Sequence, residues 1–288
     1  MPDAMTAPQG PERPQDAPPR RQRPLLTLHV LRREQISEHM VRIVAGGPGF
    51  ERFQPNSCAD AYCKIWFGPD GRPLDGTEEL ESIRARSERE QWPVSRTYTV
   101  RRVDLEAQEL SIDFVVHGDE GLAGPWAASA QPGDPLTFSG PGGAFSPDPD
   151  ADWYLLAADE SALPAVATVL EALPADARGQ ALIEVAGPAD RQQISAPAGV
   201  ELTWLYRNGT PAGRSRVLTE AVAAVEWLPG NVQVFAHGER EAMKSLRDVL
   251  FGHRGLERRQ VSLSGYWAAG RTEDVFQAEK RTPVGKIL

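Results

Sequence analysis

One short stretch, Ser146-Pro147-Asp148-Pro149-Asp150, separates two halves of the chain that follow different periodicities. Before it, short alternating or apolar runs succeed one another at Leu25 to Arg32, His39 to Ala45, Ala61 to Phe67, Ser95 to Val103, Glu109 to Val116 and Pro135 to Gly140. Turn signals such as Gly47-Pro48-Gly49 and Pro69-Asp70-Gly71 punctuate them. Strands without long helices between them can bury their apolar faces only against one another, so residues 25–147 predict an antiparallel β-barrel. After the stretch, strand and helix patterns alternate. Trp153 to Ala158, Ala181 to Ala186, Glu201 to Tyr206, Asn231 to Ala236 and Val261 to Trp267 read as strands, and Leu163 to Leu173, Arg216 to Ala224 and Arg240 to Phe251 as helices. Parallel strands need helical crossovers that cover both faces, so residues 148–270 predict an α/β domain with a doubly wound parallel sheet. At 288 residues the chain can bury both cores.

Two segments fall outside these domains, and a third interrupts the first domain. Residues 1–24 carry prolines at 2, 8, 11, 14, 18, 19 and 24 with few large apolar side chains, and are expected to be disordered. Residues 271–288 are polar, with Pro283 and Gly285, and read as a C-terminal tail along the surface. Leu74 to Trp92, rich in Glu and Arg, reads as an exposed insertion, a loop or a short helix.

Composition excludes several classes. A net charge of −9 argues against nucleic acid as a partner. No run approaches the ~18 apolar residues of a membrane span. Cys58 and Cys63, the only cysteines, cannot build a disulfide framework or a four-ligand metal site, which suits a reducing cytoplasm. His29, His39, His237 and His253 lack metal-binding company, so no metal is expected. Ser264-Gly265-Tyr266 is not a nucleophile elbow, which disfavours a hydrolase.

Arg96-Thr97-Tyr98-Thr99 is the strongest site candidate. It offers a cation for a phosphate, a flat ring for an aromatic cofactor and hydroxyls to bond it, the needs of a flavin dinucleotide. The same letters also make a good β-strand. Alternation places Arg96 and Tyr98 on one face, so Thr99 reaches the same ligand only through twist or a strand end. Downstream, His117-Gly118 ends a strand and Gly121-Leu122-Ala123 leads into a short helix near Pro125, whose free N–H groups suit a pyrophosphate. Trp126 reads as core. In the second domain no G-x-G-x-x-G follows the first strand. Position alone places Asp159, Glu160, Ser161, Ala162, Gly187, Arg207, Gly238 and Glu239 on the carboxyl rim of the sheet, where nucleotides bind. Arg207 is the candidate for a ribose 2′-phosphate, ahead of Arg191.

Taken in order, Arg96-Thr97-Tyr98-Thr99, His117-Gly118, Gly121 to Ala127, Pro132-Gly133-Asp134, Gly140-Pro141-Gly142-Gly143, Leu155 to Pro164, Gly238-Glu239 and Ser264-Gly265-Tyr266-Trp267 resemble the siderophore-interacting protein family. These are FAD-dependent ferric-siderophore reductases related in fold to ferredoxin-NADP reductases. The resemblance implies FAD in the barrel, NADPH or NADH on the α/β domain, and a ferric siderophore as substrate; a cytoplasmic monomer is expected. It implies that Arg96 holds the FAD pyrophosphate, Tyr98 stacks on the isoalloxazine, Thr99 bonds near its reactive nitrogen, and His117 with Gly121 to Ala123 borders the phosphates. Tyr98 and Thr99 are thus the expected catalytic pair. Ala158 stands where the family commonly has Gly, and Ala268-Ala269 where a basic residue often follows the Tyr-Trp pair. Arg101, Arg102 and Arg271 are the candidates to replace that charge toward an anionic substrate. A flavin-dependent reductase of another acceptor, such as a quinone or redox partner, and a non-catalytic siderophore-binding protein remain open beside the reductase.

Overall fold

The computed structural model describes residues 24–118 and 121–288. The segment expected to be disordered lies, apart from Pro24, outside the described residues. The first half contains β1 (Leu25–Ser37), β2 (Met40–Gly46), β3 (Tyr62–Phe67), α1 (Leu80–Arg86), β4 (Val94–Asp104), β5 (Glu109–Val115), α2 (Ala123–Ser129) and β6 (Pro135–Gly142). The six strands close into a barrel in the order β1-β2-β5-β4-β3-β6, with antiparallel pairing throughout. Closure follows from the alternation: Leu26, Leu28 and Val30 of β1, Cys63, Ile65 and Phe67 of β3, and Leu110, Ile112 and Phe114 of β5 share one interior cluster. Helix α2 plugs the barrel with Trp126, whose ring meets Phe67 at 6.2 Å and Phe114 at 5.5 Å. The charged insertion forms α1, anchored by buried Leu80, with the Arg84 guanidinium over the rings of Trp66 and Trp92.

The second half contains β7 (Trp153–Ala158), α3 (Leu163–Ala172), β8 (Arg178–Val185), β9 (Gly199–Tyr206), α4 (Val217–Ala224), β10 (Val232–Glu239), α5 (Arg240–Arg247), β11 (Val261–Trp267) and α6 (Glu273–Glu279). Its strands form a parallel sheet in the order β11-β10-β7-β8-β9. Strand β7 shows why both faces are covered. Tyr154, Leu156 and Ala158 pack with α3 on one face, and Trp153, Leu155 and Ala157 pack with α4 and α5 on the other. Helix α5 stops short of Phe251, because residues 248–253 wind into a π-turn.

The segment read as a polar C-terminal tail contains α6. The Thr272 side chain caps it by accepting from the Val275 N–H, Glu273 and Asp274 occupy its first turn, and Phe276 is buried. One buried ring and a cap suffice for a two-turn helix once a neighbouring surface exists, and this surface is what the local pattern does not reveal.

The two halves share packing. Met40 of β2 and Phe145 belong to the same apolar cluster as α3 and β7. The His39 N–H and Nδ1 meet Asp190 Oδ1 at 2.9 and 3.0 Å, and Arg101 grips Glu171 of α3 through two hydrogen bonds of 2.8 and 2.6 Å. Among the described residues no helix is long and apolar enough to cross a membrane. The Phe114 ring, fully buried between Tyr98 and Trp126, supports core and site together. Phe114→Ala is expected to destabilise the protein by about 3–5 kcal/mol in urea unfolding, and a loss under about 1 kcal/mol would show that the barrel interior relaxes around it.

Candidate functional site

Strand β4 changes partner within the Arg96–Thr99 motif. It pairs with β3 from Val94 to Thr99, then with β5 from Val100, with a register shift between Val100 and Arg102. Thr97 is exposed, Arg96 and Tyr98 are half-buried, and Thr99 is buried. The Tyr98 ring lies on Phe114 with centroids 4.4 Å apart. Burial and the nearby Glu273 charge push its phenol well above the ordinary range, so it is a neutral ring at physiological pH. Arg96 donates to both Asp274 carboxylate oxygens of α6, at 3.2 and 3.1 Å. Sequence reasoning missed Asp274, since nothing local places a residue 178 positions away beside Arg96.

Below this strand, His117 and Gly118 are exposed, and Gly118 and Gly121 take positive φ values of 61° and 86°. A Cβ at either would meet nothing within 4 Å, so the glycines serve the backbone path and leave open space. Leu122 precedes α2 and offers no side-chain cap, while Ala123 is buried under the loop. A guanidinium, a neutral aromatic ring, a buried hydroxyl and an open glycine loop make a donor set that fits FAD.

The carboxyl rim of the parallel sheet gathers Asp159, Glu160, Ser161, Ala162, Gly238 and Glu239 as expected of a topological switch point, which lies between β7 and β10. Their side chains are occupied within the protein. Asp159 accepts from the Ser161 N–H and hydroxyl, the Glu239 N–H and the Trp267 Nε1–H at 2.5 to 2.9 Å. Gly238 is required beside it, since a Cβ there would stand 2.8 Å from Asp159 Oδ2. Glu239 caps α5 and accepts from the Ala269 N–H. Ala162 is fully buried at the start of α3.

Arg207 has a different place from the one read for it. Its side chain is 7 % exposed, and both terminal nitrogens donate to Glu160 at 2.8 Å. Glu160 also accepts from the Ala186 N–H. Glu184 lies 3.8 Å from the same guanidinium, and burial pushes its carboxyl above the usual range. Arg207 is thus an internal cross-link between the ends of β7, β8 and β9, and a 2′-phosphate would have to displace Glu160 to reach it.

The three arginines read as substrate contacts are dispersed among separate partners. Arg101 is held by Glu171 at the domain junction, Arg102 is exposed with Asp104 at 3.5 Å, and Arg271 donates to Glu279. Among the described residues, the His/Asp/Glu group close enough to chelate a metal is Glu38, His39 and Asp190, in which His39 Nδ1 already bonds Asp190.

Two residues that carried no site role in the sequence lie at the carboxyl end of the sheet. Tyr266 of β11 packs on the apolar cluster that holds Met40 and Phe145, and its hydroxyl lies 3.1 Å from His237 Nδ1 on β10. His237 Nε2 meets Ser262 Oγ at 2.9 Å. Burial, helped by the Lys280 charge, pushes the imidazole down to about 3. The only local hint was the position of His237, immediately before Gly238-Glu239 at a strand end.

Removing either partner of the Glu160–Arg207 pair leaves a buried charge, so Glu160→Ala and Arg207→Ala are each expected to cost about 3 kcal/mol. The double variant should lose clearly less than the sum, and strict additivity in urea unfolding would dismiss the pair. His237 accepts a proton in the unfolded chain near its ordinary value of 6.5 but in the folded chain only near 3. The unfolded state therefore binds more protons in that window, and stability falls as pH falls through it. Between about pH 7 and about pH 5 the loss from this group is about 2 kcal/mol; a His237→Gln variant with the same pH slope as the parent would contradict this.

Both halves of the chain have counterparts among known proteins. Residues 29–145 match the siderophore-interacting FAD-binding domain and residues 151–270 match the siderophore-interacting protein model. An uncharacterized protein of Mycobacterium tuberculosis is 47 % identical over 277 residues, covering 90 % of this chain and 95 % of its own. The NADPH-dependent ferric-chelate reductase of Escherichia coli is 32 % identical over 251 residues, covering 84 % and 92 %. The crystal structure of a siderophore utilization protein from T. fusca superposes with a TM-score of 0.76 at 40 % identity, covering 87 % of this chain and 96 % of that one. With its FAD-binding barrel and its α/β domain both matched, the chain belongs to the siderophore-interacting protein family.

Proposed function

We propose that this chain is an NAD(P)H-dependent, FAD-containing reductase that releases iron from a ferric siderophore in the cytoplasm, acting as a monomer. The observation that carries the reading is the meeting of the Arg96–Thr99 strand with the α/β half: Arg96 donates to both Asp274 oxygens, and Tyr266 at the carboxyl edge of the sheet packs on the cluster that Met40 of the barrel shares. An edge of that kind is where nucleotides bind, so the nicotinamide and the flavin sites adjoin. When bound, FAD supplies acceptance of a hydride and delivery of single electrons to Fe(III). The chain's residues bind and orient. Arg96 neutralises the pyrophosphate, Tyr98 offers a neutral ring backed by Phe114, and Thr99 presents a hydroxyl to the ring edge. His117 and Gly118, with Gly121 to Ala123, border the phosphates. Asp159, Glu160, Ser161, Ala162, Gly238 and Glu239 shape the nucleotide rim through backbone and packing, their carboxylates being engaged internally. Iron(II) suits hard oxygen ligands less well than iron(III), so reduction loosens the chelate. Support for the substrate class comes from the family and from the ferric-chelate reductase relative. Cys58 and Cys63 are both free, which suits a reducing compartment.

A reductase of another acceptor is favoured by one observation. Ala268, buried, and Ala269 follow Tyr266-Trp267, so these two positions offer no cation to an anionic siderophore.

Anaerobic mixing of FAD-loaded protein with NADPH or NADH should bleach the flavin, and a ferric siderophore should restore the colour while Fe(II) appears. Bleaching without reoxidation by any ferric chelate would favour the other acceptor, and absence of bleaching would reject the hydride step. Arg96→Ala should weaken FAD binding by roughly 10- to 100-fold, as expected for a charge-assisted contact. Asp274→Asn should tighten it by about two- to fivefold, because Asp274 competes for the same guanidinium at an exposed position. Unchanged affinity in both variants would place the pyrophosphate elsewhere.

A further inference from the structure

The carboxyl rim of the parallel sheet has two features that suit an anion, a buried guanidinium and the start of a helix, and this chain's own carboxylates occupy both. Arg207 donates from its two terminal nitrogens to Glu160 Oε2 and Oε1, each at 2.8 Å. Glu184 Oε1 stands 3.8 Å from the same guanidinium, and its Oε2 accepts from the Leu218 N–H in the first turn of α4 at 3.3 Å. The Val217 N–H beside it donates to Ser215 Oγ, also at 3.3 Å. Glu160 is itself fixed in place, because its Oε1 accepts from the Ala186 N–H at 2.8 Å. A carboxylate offers about four lone-pair sites. Two on Oε1 and one on Oε2 are used, so one remains on Oε2, and the Glu160 side chain keeps 12 % exposure.

The rim also has a direction. Arg96, on the flavin strand, donates to both oxygens of Asp274 in α6, the helix that follows β11. The reacting end of a nucleotide on the rim therefore lies toward β10 and β11, and its adenosine ribose toward β8 and β9, where Glu160, Glu184 and Arg207 gather. We propose that Glu160 selects NADH over NADPH at this end, an inference that rests on the reading of the rim as the nucleotide site and of Arg96 as a flavin residue. In dinucleotide-binding sheets an acid takes the ribose 2′-hydroxyl, or an arginine takes the 2′-phosphate. This rim holds both, and the acid closes the arginine. The ribose of NADH brings hydroxyl hydrogens, one of which the remaining lone pair of Glu160 accepts. A 2′-phosphate carries about −1.5 to −2 charge at neutral pH and brings acceptor oxygens to a group that is already an acceptor. To reach Arg207 it must push Glu160 aside, which leaves that carboxylate unpaired in a poorly solvated place with Glu184 close by. Arg191 and Arg214, on the segments after β8 and β9, are exposed. A solvated cation contributes little against that cost.

The test is calorimetric titration of the FAD-loaded protein with tetrahydro-NADH and tetrahydro-NADPH, analogues that bind without giving a hydride and differ only in the 2′-phosphate. The parent should bind tetrahydro-NADH at least about tenfold more tightly. Glu160→Gln keeps an oxygen for the Ala186 N–H and removes the charge, so it should bring the two affinities within about threefold of each other. The double variant Glu160→Gln/Arg207→Met should lose that gain for tetrahydro-NADPH, because the unmasked guanidinium is gone. A parent that binds tetrahydro-NADPH as tightly as tetrahydro-NADH would overturn the selection while leaving the nucleotide site in place. So would a folded Glu160→Gln with the parent's ratio, or a gain that persists without Arg207. Should Glu160→Gln fail to fold, the parent's ratio decides. A parent that binds neither analogue would overturn the nucleotide reading of the rim, and the selection with it.

Discussion

Asp159 is the interaction on which the arrangement of the sheet rim depends. Its carboxylate, 7 % exposed, accepts four hydrogen bonds from Ser161, Glu239 and Trp267. A buried carboxylate is costly unless its lone pairs are filled. Here the donors come from the ends of β7, β10 and β11, so satisfying the charge draws three strand ends together at the switch point. Gly238 is the corollary, because only a residue without a side chain lets the β10 backbone pass so close to Asp159. The Glu160–Arg207 pair does the same for the other side of the rim, joining β7 to β8 and β9.

That arrangement sets His237 and Tyr266 against the barrel. The cluster containing Met40, Phe145 and α3 is continuous across the junction, and Arg101–Glu171 and His39–Asp190 bracket it with charge. Met40 belongs to the barrel and Tyr266 to the sheet, so their shared packing exists only while the two domains keep this relation. The C-terminal segment reinforces it from outside: α6 seats Phe276 in a buried position, lays Asp274 on Arg96, and is held in turn by Arg240 and Arg271 through Glu279.

Much of the fold was legible because both periodicities are strong. All six barrel strands and all five sheet strands fall where alternation or apolar runs marked them, within a few residues at their ends. Arg96 to Thr99 could be read as one candidate site for the same reason: they are adjacent, so strand geometry alone relates them. Residues that act through distant partners were not. Arg207 stood in the right position for a phosphate, and only the fold showed Glu160 already closed upon it. Arg101 read as a free cation and is a domain tie, and His237 read as ordinary for want of neighbours in sequence. Helix α6 escaped because a two-turn helix draws its stability from the surface it meets, not from its own propensity.

By itself the sequence determined the two architectures and the motif that suits a flavin, because these follow from local alternation, turn residues and contiguous side-chain chemistry. Only the tertiary structure decided which ionisable groups are free to act. Whether a charge meets a ligand or a neighbour depends on partners brought together from positions 47 to 178 residues apart, as with Arg207 and Glu160 or Arg96 and Asp274. The burial that makes those partners matter is a property of the packed chain, and no short stretch of it carries that information.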